Sequence, residues 1–136
     1  MFEGFCRLAR ESELTAIAEL RFTHERPGAP ASEKALFVDD FLRLAAGRPG
    51  GGILHWVLDR GGTIIATRAV VIFRRLPEPG ALQARGAWVS PCYRAPGVRC
   101  DAAAARLLSA IEDWAGREGV ELSLSDEPRG SDRRAA

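Results

Sequence analysis

The residues best placed to do chemistry lie in one run, Trp88 to Ala115, which reads WVSPCYRAPGVRCDAAAARLLSAIEDWA. From Ala87 to Tyr93 it has the Trp, Val and Tyr of a strand, with small residues between them. Ala95-Pro96-Gly97 breaks the chain. A helix is expected from near Ala102, because Leu107, Leu108, Ile111, Trp114 and Ala115 recur at helical spacing. The first N–H groups of a helix lack intrahelical partners, and the helix dipole adds partial positive charge there. A phosphate or pyrophosphate can rest on them where no bulky side chain intervenes. Cys100, Ala102, Ala103, Ala104 and Ala105 keep that approach open, with Arg99 as a cation beside it. Good helix propensity alone would select the same alanines, and both readings stand at this point. A helix start also lowers a thiol pKa, which singles out Cys100 from Cys6 and Cys92. Three cysteines cannot all pair within one chain, and Cys92 with Cys100 lacks zinc-ligand spacing. Reduced, partly buried thiols and no metal are expected.

The elements that must position this run are short and clearly punctuated. Cys6 to Ala9 reads as a first strand, and Glu11-Ser12-Glu13 opens a helix that runs to about Glu25, before Pro27-Gly28. Ser32 with Glu33 is expected to cap a second helix through Ala46, with Leu36, Phe37, Phe41 and Leu44 on its apolar face. Gly47 to Gly52 reads as a flexible connection. Ile53 to Leu58 and Thr63 to Phe73 read as strands joined by a hairpin at Arg60-Gly61-Gly62. Leu76 to Gly80 forms the next turn, Gly119 ends the last helix, and Val120 to Leu124 returns as a strand. The order β-α-α-β-β-β-α-β predicts an α+β fold, a central mixed sheet with helices on both faces. Residues 1–125 make one domain, and 126–136 a polar tail that frays.

Composition removes several classes of function. Nineteen or so basic residues would matter only if unbalanced, and the formal net charge is +1, so nothing recommends nucleic acid or membrane as partner. No apolar run is long enough to span a bilayer, and the N-terminus lacks the layout of a signal peptide, so the cytoplasm is the expected location. Hydrophobic residues at 46% and charged residues at 27% are ordinary for a globular domain.

Laid without gaps, the run from Trp88 resembles the acetyl-CoA motif of the GNAT N-acetyltransferase superfamily. There a strand ending Val-Tyr-Val-x-Pro-x-Tyr-Arg leads into Arg/Gln-x-x-Gly-x-Gly/Ala and a helix with Leu-Leu and Trp-Ala. Tyr93, Pro96, Arg99, Ala104, Leu107, Leu108, Trp114 and Ala115 fall at the matching positions. Leu20-Arg21 with Glu25, Phe37-Val38, Phe41 and the Pro77-x-Pro79 turn resemble one branch of it, so the likeness covers Arg7 to about Leu124. Ala102 stands at the first motif glycine, Asp101 where a basic or small residue is usual, and Val98 where an aromatic is usual. The family usually continues with a helix and two strands. This sequence ends at Ala136, so a shortened C-terminus is expected.

The resemblance implies an acetyl-CoA-dependent N-acetyltransferase acting on an amine of a small molecule or peptide. Backbone groups around Cys92, Tyr93 and Arg94 would hold the pantetheine arm. The amides from Cys100 through Asp101, Ala102, Ala103 and Ala104 to Ala105 would hold the pyrophosphate, helped by Arg99. Glu25 would act as the base, with His24 as a second candidate and Ser90 orienting a water. Tyr93 would stand in for the tyrosine that commonly protonates the leaving thiolate. The alternative is a catalytically impaired GNAT-like domain that binds acyl-CoA or serves as a protein-interaction module. A last strand with an open edge predicts a homodimer through that edge.

Overall fold

A computed structural model describes residues 4–46, 52–76, 78–80 and 85–124 of the chain. The expected tail at 126–136, the connection at 47–51 and Pro77 of the turn lie outside the described residues. Six strands form one sheet: β1 Phe5–Leu8, β2 Ile53–Arg60, β3 Thr63–Arg74, β4 Arg85–Val89, β5 Tyr93–Arg94 and β6 Val120–Leu124. Their order is β1-β2-β3-β4-β6, with β5 paired to β3. All pairs are antiparallel except β4 with β6. Among the described residues there are three α-helices: α1 Leu14–Glu25, α2 Ala31–Ala46 and α3 Cys100–Glu118. The α+β class with a mixed sheet is therefore as expected.

Strand alternation sorts the core into two layers. Trp56, Leu58, Ala66, Val70, Ala87 and Val89 share one face, and α3 lays Ala103, Leu107, Ile111 and Ala115 on them. Leu107 and Ile111 are wholly buried, each contributing about 1.5–3 kcal/mol relative to an exposed side chain. The other face carries Val57, Thr67 and Tyr93, and α1 covers it with Ile17, Ala18 and Phe22. Phe37 and Phe41 of α2 continue that layer, with ring centroids 5.7 Å from Phe22 and 5.4 Å from His55 respectively.

Local chemistry explains the boundaries, including where they differ from expectation. Residues 11–13 make a short 3-10 turn before α1 rather than its first turn. That turn is tied down by Arg7, whose guanidinium donates to Glu13 at 2.7 and 2.8 Å and to Asp59 at 3.0 Å. α2 begins at Ala31, and the carbonyl of Pro30 accepts from Glu33 and Lys34, so Ser32 is inside the helix rather than its cap. At the β2–β3 hairpin Gly61 and Gly62 have φ of 61° and 90°, the left-handed geometry that a two-residue turn demands. α3 starts at Cys100, earlier than the apolar spacing suggested, and stops at Gly119 with φ 69°. The strand expected from Ala87 to Tyr93 is two strands, and the break between them shapes the site.

Candidate active site

β4 and β6 run side by side from Arg85↔Val120 to Val89↔Leu124, where their pairing stops. Beyond that point β5 continues along β3 alone, so its other edge is open among the described residues. The cause is Ser90-Pro91-Cys92. Val70 pairs with Val89 and Thr67 with Tyr93, so residues 90–92 oppose only residues 68 and 69. This is a β-bulge, built around a proline that has no N–H to give a ladder. Ser90 locks it: its N–H donates to Ala69 O and its Oγ accepts from the Ala69 N–H, both at 2.8 Å. The Ser90 hydroxyl itself donates to Pro91 O at 2.8 Å. Beneath lies Arg68, 3% exposed, donating to Ser90 O at 2.9 Å and to Ala104 O at 3.3 Å. A buried guanidinium thus ties the bulge to the first turn of α3. Ser90 thus takes part in this lock through both its backbone and its hydroxyl.

At the start of α3, the Ala103 N–H is the first to join the helical ladder, donating to Arg99 O at 3.1 Å. The Ala102 N–H donates to its neighbour, Asp101 Oδ1, at 3.0 Å. Asp101 Oδ2 also lies 3.8 Å from Arg99 Nη2, and both side chains are about four-fifths exposed. A carboxylate therefore occupies the place where a phosphate would rest, and a rotation of that exposed side chain would clear it. Ala103 is wholly buried against the sheet, and Ala104 and Ala105 donate within the helix. The amides that precede the helical ladder are accordingly those of Cys100, Asp101 and Ala102, beside Arg99. The small residues and pre-ladder amides fit a phosphate once Asp101 is aside. The side chain of Cys100 lies outside the described set; Cys92 is buried in the core, and burial raises the pKa of the Cys6 thiol.

The bulge also reverses which face each side chain takes. Cys92 enters the α3 layer, while Tyr93 turns to α1. The Arg21 guanidinium lies 4.1 Å from the Tyr93 ring centroid, and its Nη2 donates to the Tyr93 hydroxyl at 3.4 Å. His24 meets the same ring edge-on at 5.3 Å. His24 Nδ1 accepts from the Arg94 N–H at 3.2 Å and lies 3.4 Å from Arg94 O. Because the Ala95 N–H donates to Ile65 O on β3, the Arg94 N–H points the other way, to the open edge. One of the backbone groups expected to hold an extended ligand therefore already has a partner. Glu25 is exposed, with no hydrogen bond or ion pair among the described residues. Glu25 is thus exposed at the end of α1, Ser90 sits in the bulge and Tyr93 faces α1.

Arg68, which the sequence reading passed over, and His55 matter here. Arg68 interrupts the apolar run of β3, and that interruption was the available signal. His55 is half-buried on the α1 face, where desolvation first, and the charge of Arg21 second, push its pKa down to about 4. Among the described residues no group of three or more His, Cys, Asp or Glu is placed to hold a metal.

The mixed sheet thus divides at a bulged strand, with a helix start on one face of the division and a basic, aromatic cluster on the other. No family model and no curated protein matches the sequence. Solved structures do match it. A GCN5-related N-acetyltransferase from Ralstonia eutropha JMP134 is 24% identical with a TM-score of 0.66, over 93% of this chain and 86% of that one. A predicted acetyltransferase from Clostridium acetobutylicum, solved with acetyl-CoA, is 16% identical with a TM-score of 0.67, over 92% and 82%. An aminoglycoside acetyltransferase from an uncultured soil metagenomic sample, in complex with sisomicin, is 9% identical with a TM-score of 0.65, over 92% and 78%. The chain has the fold of the GNAT acetyltransferase superfamily.

Proposed function

We propose that the chain is an N-acetyltransferase that moves the acetyl group of acetyl-CoA to an amine of a small molecule or peptide. The observation that carries this reading is the division of the sheet beyond Val89↔Leu124, followed directly by the start of α3. It offers a strand edge and the amides that precede the helical ladder to one elongated ligand. The neighbour solved with acetyl-CoA supports the choice of ligand.

Acetyl-CoA supplies an acetyl group already activated as a thioester. The chain's part is to hold and orient, which can account for much of the rate of such a transfer. Arg99 and the amides of Cys100, Asp101 and Ala102 receive the pyrophosphate after Asp101 turns outward. The edge of β5 holds the pantetheine arm, with His24 giving up the Arg94 N–H. Glu25 removes the proton from the acceptor ammonium, directly or through water. Titration calorimetry with acetyl-CoA, beside dephospho-CoA and free CoA, tests this. Micromolar binding followed by thiol release with an amine panel is expected, and no heat at millimolar ligand would end the reading.

A second reading has its own support. The Ala102 N–H and the Arg94 N–H are both satisfied from within, by Asp101 and by His24. An impaired domain that binds acyl-CoA without turnover, or serves as an interaction module, would look like this. Binding without thiol release across the panel would favour it. In either case we propose a homodimer in which the edge of β6 that no described strand covers pairs with a second copy.

A further inference from the structure

Arg21 occupies a position that α1 otherwise gives to its core. Ile17, Ala18 and Phe22 on the inward side are buried, and Arg21 shares that side. A guanidinium drawn into a fold ordinarily meets a carboxylate. Arg21 meets none among the described residues, and its Nε is buried without a hydrogen-bond partner. The acids nearby are engaged elsewhere or point to water: Asp39 and Asp40 pair with Arg43, Glu33 pairs with Arg26, and Glu19 and Glu25 are exposed. His55, the other titratable group on this face, is held neutral near pH 7 by its burial and by Arg21 itself.

Aromatic rings take the place of an acid. Tyr93 lies 4.1 Å from the guanidinium carbon and Phe41 5.9 Å, measured to the ring centroids. Such faces stabilise a cation by roughly 0.5–2 kcal/mol, and stacking fixes the plane of the guanidinium. They do not neutralise it. The charge stays on the guanidinium fork, a group that binds carboxylate or phosphate through charge-assisted hydrogen bonds. Tyr93 belongs to β5, the strand that parts from β6, so this fork stands beside the division of the sheet. It stands on the α1 face, opposite the face that carries the start of α3.

We propose that Arg21 determines acceptor specificity by receiving an anion, a carboxylate or a phosphate, carried by the amine to be acetylated. The inference rests on the acetyltransferase reading and narrows it. The acceptor class is an amine with its own fixed negative charge, such as an amino acid or an amino-phosphate, and not a polycation such as an aminoglycoside.

Matched acceptors test it: free amino acids against their carboxamides, O-phosphoethanolamine against ethanolamine, and sisomicin. Thiol release is followed for the wild type, Arg21→Gln and Arg21→Lys, and acetyl-CoA affinity is measured for each by calorimetry. At least a tenfold preference for the anionic member of a pair is expected in kcat/KM, and the pair that shows it separates carboxylate from phosphate. Arg21→Gln should bring that preference close to unity through KM with acetyl-CoA affinity unchanged, while Arg21→Lys, which keeps the charge but not the fork, should fall between. Equal use of both members by the wild type, or an equal loss for both in Arg21→Gln with Arg21→Lys, overturns the proposal. If acetyl-CoA does not bind, the acetyltransferase reading falls by itself. The same matched pairs titrated directly into the protein then decide the question, and equal affinity for anionic and neutral amines overturns the role given to Arg21.

Discussion

Asp101 sets how readily the start of α3 accepts an anion, because it engages both the Ala102 amide and Arg99. These groups are exposed, so each contact contributes modestly. Asp101→Ser should tighten CoA binding by about two- to fivefold, the range an exposed pair of this kind supports, and Arg99→Ala should weaken it by a similar factor. Calorimetry reads both. Asp101→Ser should also lower the melting temperature slightly, since an acid in the first turn favours the helix dipole. His55 controls a different property. Its folded pKa of about 4 is below the ordinary 6.5, so the unfolded chain takes up a proton that the folded chain refuses. Stability should therefore fall as pH drops from about 6.5 towards 4 and be flat above that window. His55→Phe should remove this slope in urea titrations. Glu13, held down to about 2 by the Arg7 guanidinium first and the Arg10 backbone second, acts lower: its contribution is full above about 4.5 and fades towards pH 2.

At the scale of elements, the bulge between β4 and β5 decides what the sequence can disclose. Strict alternation from Val89 would carry Tyr93 to the same face as Val89, under α3. One extra residue at Ser90-Pro91-Cys92 sends Tyr93 to α1 instead and puts Cys92 in the core. Pro91 announced that a ladder bond would be missing, but not that the strand would resume in a shifted register. For the same reason Ser90 could be picked out as polar and well placed, yet its role as a lock depends on Ala69, which is distant in sequence. The helices were legible from apolar spacing, and the hairpin from its glycines, since these are local properties. Arg68 was not, because the worth of a buried cation depends on carbonyls contributed by β4 and α3. Arg68→Met leaves Ser90 O without that donor, at a cost of roughly 1–3 kcal/mol, while Ala104 O keeps its donor within the helix. The expected result is a lower urea midpoint together with weaker acetyl-CoA binding, because the helix start is no longer tied to the bulge. Unchanged affinity in a folded variant would show that the tie serves stability alone.

The whole molecule is unevenly covered. α1 and α2 shield one end of their face of the sheet, but Val71, Phe73 and Trp88, which share that face farther along β3 and β4, stay exposed among the described residues. β6 bonds to β4 on one side and to no described strand on the other. Edges of this kind invite pairing. Sedimentation should accordingly show a monomer–dimer equilibrium in the micromolar range, and a proline at Glu121 or Ser123 should shift it to monomer. A single species at all concentrations would remove the proposed homodimer. The uneven cover has an optical consequence. Trp56 is buried and Trp114 half-buried, but Trp88 is 58% exposed. The emission of an indole moves to longer wavelength in water, so Trp88 supplies the red side of the spectrum. Whatever settles on that face, a second copy or an acceptor, will shift this side to the blue, and the unlabelled chain thus reports on its own open surface.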